Sequence, residues 1–298
     1  MPLDAMIPAY RGPYADLMDE HGFIPANHKA PAFFPVVARR LFDEKGEELP
    51  GYKRIVREDT GCTLNVATDA YKIITNEEAF GAFETALEES SLDLTGLRIG
   101  TDYANGGARC FRQYLLPAHT VEVKTGVSVA LRLLMMNSYD GSLAFKGQVG
   151  AYNFVCANTS VSGVDFASFK MKHTGQLDVP KAIRGLASAA EAHVLEASRM
   201  QAWPQISVSD AQARDLFGAM PQATGMLVDH LVHRWLVARD TDPMQGGANA
   251  WCLFNVLTAW STHGDNKVVG GRGQVRFDRE QRVRKLIDGK AWTALTEA

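Results

Sequence analysis

A chain of 298 residues, 46% apolar and 22% charged, can bury a large core, which excludes wholesale disorder. No run reaches the roughly 18 apolar residues of a membrane span. The net charge of −3 hides an asymmetry: residues 1–97 carry 9 Lys and Arg against 17 Asp and Glu, residues 98–184 carry 10 against 5, and residues 185–298 balance at 12 against 12. The basic middle segment admits a polyanionic partner that the whole-chain charge would exclude. Residues 1–11 lack the basic start and apolar run of a secretory signal. Cys62, Cys110, Cys156 and Cys252 are far apart, with no CxxC pair and no histidine cluster beside them. That argues against a disulfide framework and a zinc site, and for free thiols in a cytoplasm.

In chain order, residues 1–50 are rich in proline and aromatics and read as an extended arm, with an acidic turn at Asp43–Glu48. Asn76 is expected to cap a helix, with Glu77 and Glu78 complementing its dipole and Phe80, Phe83 and Leu87 as its apolar stripe. From Leu97 the period changes to two. Leu97–Tyr103 and Arg109–Leu115 flank Asn105-Gly106, a hairpin signal because both residues tolerate positive φ. A two-residue turn there sets Asp102 opposite Arg109. Val127–Met136 and Leu143–Val155 form a second pair around Asn137–Gly141, with Val127, Val129, Leu131, Leu133 and Met135 on one face. The pattern predicts a half-buried, curved antiparallel sheet, apolar on its core side. Gly147 and Gly150 mark a bend, a bulge or a close approach by something else.

After Thr159 the pattern turns helical. Pro180 suits the first turn of a helix with the stripe Ile183, Leu186, Ala190, Val194 and Ala197. Ser209 with Gln212 opens the next through a capping box. Met226–Arg239 is amphipathic, Trp251–Trp260 is apolar nearly all round, and Asp278 with Gln281 is expected to open a last basic helix. The fold class is α+β: an arm (1–50), an antiparallel meander packed on helices (51–178) and a helical C-terminal region (179–298).

Several stretches resemble the phage/plasmid-like family called domain of unknown function 932. They are Tyr71-Lys72-Ile73-Ile74-Thr75-Asn76-Glu77-Glu78-Ala79-Phe80, Asn137–Ser142, Val155-Cys156-Ala157-Asn158-Thr159, Lys172-His173-Thr174, and Ala250-Trp251 through Asn255, Thr258, Trp260 and His263. Lys172 stands where the family has Arg, and Ala259 and Thr262 stand where it usually has acidic residues. The resemblance implies a phage or plasmid origin, hence a bacterial host cytoplasm, and no activity. At fold level, a helix, a meander and a helix also resemble the core of single-strand annealing proteins, which form rings or filaments with a basic groove.

Even pairing around the second turn puts Arg132 opposite Lys146 and Ala130 opposite Gln148. Arg132, Lys146, Gln148 and Tyr152 share the face away from the core stripe. Like charges facing each other across a sheet repel, so such a face suits an anion, and Tyr152 suits base stacking. Arg109, Arg112, Lys124, Lys170, Lys172 and His173 extend the candidate surface, with Arg109 and Arg112 of opposite parity, so that a regular strand points only one of the two that way. An ordinary solvated face, or one packed under the C-terminal helices, explains the same residues. The loop Gly270–Arg276 lacks the Gly-Lys-Ser/Thr of a phosphate loop. His230 and His233 lie at i, i+3 beside Asp229 and could share a metal only with further ligands, for which His193, His263 and Asp265 are the candidates; no metal is expected. No nucleophile elbow is present.

The expected function is therefore a phage-type single-stranded DNA binding and strand-annealing protein, non-enzymatic, acting as a homo-oligomer without cofactor, metal or membrane. The first alternative is an assembly protein in which the acidic first third and the basic middle meet between subunits. The second is a hydrolase using His173 or His263 with Asn158.

Overall fold

The computed structural model describes residues 18, 23–26, 32–161, 167–171, 179–264 and 272–297, with residues 161, 167–171, 179–184, 187 and 272 described by backbone alone. The strands are β1 (Ile24–Pro25), β2 (Val36–Phe42), β3 (Glu48–Arg57), β4 (Thr63–Thr68), β5 (Arg98–Ala104), β6 (Arg109–Lys124), β7 (Val127–Ser138), β8 (Phe145–Asn153), β9 (Thr159–Val161) and β10 (Ala167–Met171). A seven-stranded sheet runs β1-β5-β6-β7-β8-β10, with β9 also beside β8, and β2-β3-β4 form a separate three-stranded sheet. Helix α1 (Asn76–Glu88) precedes β5, and the C-terminal half supplies α2 (Val179–Ala202), α3 (Asp210–Ala219), α4 (Gly225–Thr241), α5 (Ala250–His263), α6 (Arg272–Ile287) and α7 (Lys290–Thr296). The α+β class holds: antiparallel sheets followed by a mostly helical half. Among the described residues no helix is long and apolar enough to cross a membrane.

Local chemistry explains most element ends. Thr75, not Asn76, caps α1: its hydroxyl accepts from the Glu78 amide while the Glu78 carboxylate accepts from the Thr75 amide, a capping box. Asn76 is instead fully buried, where its side chain accepts from Asn137 and its amide donates to the Tyr139 hydroxyl. Ser209 and Gln212 form the predicted capping box of α3. Asp278 lies inside α6 and opens nothing, because the helix already starts at Arg272. In α2, Leu186 and Ala197 are buried as predicted, but Val194 is 53% exposed. Part of the expected arm is regular structure: residues 36–42 and 48–57 pair in the small sheet, so the boundary at residue 50 falls inside β3. Asp43 and Glu47 do bond in a turn there.

Strand register departs from the two-residue and five-residue turns expected. Asn105, Gly106 and Gly107 all take positive φ, and the resulting turn pairs Ala104 with Arg109, so Asp102 faces Phe111. At the next hairpin the Ser138 hydroxyl bonds both the amide and the carbonyl of Leu143. That longer loop shifts the pairing by four: Arg132 faces Gly150 and Met136 faces Lys146. Gly147 and Gly150 sit where β8 changes neighbours, next to β10 at Gly147 and next to β9 at Gly150.

The large sheet is buried on both faces. One carries Ile99, Tyr114, Leu131, Leu133, Met135 and Val149 against α1 and α2. On the other, Phe111, Leu134 and Met136 pack on Phe277 of α6, and Leu115, Ala130 and Tyr152 pack on Met18 and Phe23. A helical core built around Trp203, Trp235, Trp251 and Trp292 adjoins the far ends of β6, β7 and β8. The prediction of a half-buried sheet thus fails on its second face, which α6 covers.

Candidate functional site

The residues expected to form a cationic surface are mostly engaged inside the protein. Arg132 is 0% exposed. Its guanidinium meets Glu280 of α6 at 3.2 Å and donates to Gln113 and to the Ser160 carbonyl. Burial lowers its pKa, and Glu280 opposes that shift. Tyr152 is fully buried between Phe23 and Phe154 and has no face open for stacking. Arg112 is 5% exposed and pairs with Glu84 at 2.8 Å. Arg109 bonds Asp140 and Gln274. Lys146 lies 6.0 Å from the Phe277 ring, and Gln148 exchanges bonds with Gln281. Lys124 donates to the Met244 carbonyl at 3.0 Å. Arg132, Lys146, Gln148 and Tyr152 do share a side of the sheet as parity predicted, with Arg109, but α6 covers part of that side and Met18 and Phe23 cover Tyr152, while Arg112 pairs with Met135 on the opposite side, against α1. The open anion track is therefore overturned at Arg112, Arg132 and Tyr152. Lys170 is described by backbone alone, in β10, and Lys172 and His173 lie outside the described residues.

A different group of residues converges around a pocket. Helices α4 and α5 each turn one stripe toward it: His233, Arg234, Val237, Ala238 and Thr241 from the first, and Cys252, Asn255, Val256, Ala259 and His263 from the second. Spacings of three and four place each set on one helical face. The loop joining the two helices contributes Asp242 and Gln245, and the segment after β8 contributes Cys156 and Asn158. The pocket holds about 440 Å³, inside the roughly 300–1,000 Å³ of small-molecule sites. His233, Thr241 and His263 are exposed at the rim, whereas Asn158, Gln245, Asn255 and Cys252 are buried.

The walls are held by specific contacts. The Asp242 carboxylate accepts from the amides of Met244 and Gln245, which turns the chain after α4. Gly246 then packs on the end of α4 so closely that a Cβ would lie 2.7 Å from the Ala238 carbonyl, so only glycine fits. Asn158 donates to the Asn255 carbonyl and the Thr258 hydroxyl, which ties the segment after β8 to α5. A carbonyl only accepts, so this contact fixes the amide nitrogen toward α5. The Asn158 oxygen is then left buried without a bond. The same logic applies to Gln245, whose oxygen accepts from the Trp251 indole at 2.7 Å while its nitrogen has no acceptor. Asn158 also borders a second, partly open void of about 10 Å³, on the order of one water. His263 Nε2 lies 3.1 Å from the Cys156 carbonyl and must donate to it.

Burial pushes the thiols of Cys156 and Cys252 up to about 12, so both stay protonated near neutrality, unlike an activated cysteine. Among the described residues no group of three histidine, cysteine or carboxylate side chains could hold a metal ion. Asp229, beside His230 and His233, pairs with Arg214. The arrangement offers hydrogen bonds and charge around an apolar middle, which suits recognition.

Two of the motifs singled out in the sequence, Cys156-Ala157-Asn158 and Asn255 through His263, meet here although about a hundred residues separate them. Sequence reasoning missed Arg234, Asp242 and Gln245. One signal for the site was present: Asn255 and Thr258 interrupt a helix that is otherwise apolar all round. The profile of a family described as a domain of unknown function (DUF932) matches residues 63–288, a span that includes every residue of the pocket. No curated protein and no solved structure matches the chain.

Proposed function

The chain belongs to the DUF932 family, whose description carries no activity, and from the geometry of this member we propose that it binds a small polar organic molecule in the groove between α4 and α5. The observation that carries this reading is the pair of unpartnered amide atoms, Asn158 Oδ1 and Gln245 Nε2, on residues 4% and 3% exposed that line a pocket of ligand size. Buried polar atoms are nearly always bonded, and these two supply one acceptor and one donor. A cysteine nucleophile is disfavoured because burial holds both pocket thiols protonated. The test is a thermal-shift panel of nucleosides, nucleotides, amino acids, sugar phosphates and dicarboxylates. At a hundredfold excess over Kd, a ligand is expected to raise Tm by roughly 5 °C. Ala259→Phe, which fills the groove, should abolish the shift while leaving the unliganded Tm close to wild type. A panel without any response, or a response that survives Ala259→Phe, would sink the reading.

Single-strand binding and annealing is a second reading, transferred to another surface. On the outer side of the small sheet, Arg39, Arg54 and Val66 lie in one cross-strand row. Tyr52 stands two residues along β3 and is 53% exposed. An aromatic beside two arginines is the composition of a stacking platform. Fluorescence anisotropy of a labelled single strand is expected to show binding that weakens steeply with salt, with a shallower salt slope in Arg39→Ala/Arg54→Ala. An unchanged slope would remove this surface. The exposed Phe42, Leu49, Tyr52 and Val66 would then favour the assembly alternative.

A further inference from the structure

We infer that the ligand of the groove is a free mononucleotide, its phosphate held by Arg234 and His233 and its nucleoside lying inward against Asp242, Gln245 and Asn158. The inference rests on the proposed binding role of this pocket and adds the chemical class.

Arg234 carries the argument for the phosphate. The other arginines of α3 and α4 are neutralised: Arg214 by Asp229, and Arg239 by both Asp210 and Asp240. Arg234 is half-buried at the groove and has no carboxylate partner among the described residues. His233 precedes it on the same wall, and His263 stands on the opposite wall. A planar guanidinium with an imidazole beside it matches a phosphate monoester better than a neutral group, because the charge-assisted bonds are the strong ones.

The remaining polar groups describe the body of the ligand. One oxygen of Asp242 already accepts from two backbone amides, and its second oxygen is a ready acceptor for sugar hydroxyls. Deeper in, Gln245 brings an unused donor and Asn158 an unused acceptor, the complement of a base edge that presents both. Val237, Ala238, Val256 and Ala259 supply apolar surface between the two ends. Size excludes the simpler anions: at about 440 Å³ the groove is far larger than a phosphate or a small carboxylate needs. Position argues for a free nucleotide over a strand. The loop between α4 and α5 lines one end of the groove, whereas a bound strand needs a continuous track for its backbone.

The experiment is isothermal titration calorimetry on the full chain with AMP, GMP, CMP and UMP, the four matching nucleosides, inorganic phosphate, and a short 5′-phosphorylated single strand. At least one mononucleotide is expected to bind about tenfold or more tightly than its nucleoside. Arg234→Gln should erase that gap without lowering Tm and leave nucleoside affinity unchanged. Equal affinities for nucleotide and nucleoside overturn the assignment of the phosphate and leave the pocket reading standing. A strand that outcompetes every free nucleotide overturns the choice of a free ligand. If another class of the thermal-shift panel binds and no nucleotide does, the class is wrong. If nothing binds and Ala259→Phe changes nothing, the pocket reading itself fails.

Discussion

Glu280→Ala is expected to destabilise the fold by about 3–5 kcal/mol, the cost of leaving a buried guanidinium without its counter-ion. Both side chains of the Arg132–Glu280 pair are 1% exposed. Glu280 also accepts from the Thr159 hydroxyl and lies 3.8 Å from Arg276, which reaches Asp102 at 3.4 Å. Removing the carboxylate therefore leaves Arg132 without a counter-ion and Arg276 with Asp102 alone at the junction of α6 with the sheet. Urea denaturation measures the effect, and a loss below about 1 kcal/mol would contradict the assigned role, since that is the range of exposed pairs. The control is the double replacement Arg132→Met/Glu280→Leu, expected to recover most of the loss because a well-packed apolar pair can match a buried ion pair. Arg132→Ala alone should behave like Glu280→Ala. A weakened nucleic-acid signal after that substitution would report lost folding, not a lost contact.

The second large effect is a dependence of stability on pH. His193, on α2, is 2% exposed and its Nε2 has no hydrogen-bond partner. Burial pulls its pKa down to about 4, and the backbone of His119 and Val129 offsets this only in part. In the unfolded chain the ring titrates near 6.5. Between these values the unfolded state binds the proton and the folded state does not, so stability falls as pH drops. The contribution is complete above about pH 6.5 and lost by about pH 4, and the interval corresponds to about 3 kcal/mol. Carboxylates add their own slope, so the measurement compares wild type with His193→Leu by chemical denaturation at pH 7 and pH 4.5. Between those two pH values wild type should lose at least about 2 kcal/mol more stability than His193→Leu loses. Parallel losses would mean that the ring is solvated or already charged in the folded protein.

How much of this was legible in the sequence depends on range. Capping residues and helix stripes are local, and Ser209-Gln212 and the apolar run Trp251–Trp260 were read correctly from them. Parity along a strand is also local, and it placed Arg132, Lys146, Gln148 and Tyr152 on one side. What covers that side is not local. Glu280 lies 148 residues from Arg132, and nothing in the alternation of β7 distinguishes an open face from one beneath a helix. Two like charges on a sheet looked like an invitation to an outside anion, yet the anion was supplied from within the chain. Turn geometry failed for a different reason. Asn105-Gly106 signals positive φ correctly, but Gly107 takes it too, and one more permissive residue moves the pairing. The pocket was half visible: its polar residues in apolar context could be named, while their meeting across a hundred residues is a property of the packed helices.

The late arrival of α6 has a consequence for the chain while it is being made. Between the emergence of Arg132 from the ribosome and that of its counter-ion, 148 residues are added, which at 5–20 residues per second takes roughly 7–30 s. Throughout that interval the meander can pair its strands, yet Phe111, Leu134 and Met136 lack the Phe277 that covers them in the finished fold. The nascent protein thus displays a sticky, positively charged sheet face, a target for chaperones and a hazard for neighbouring chains on a polysome.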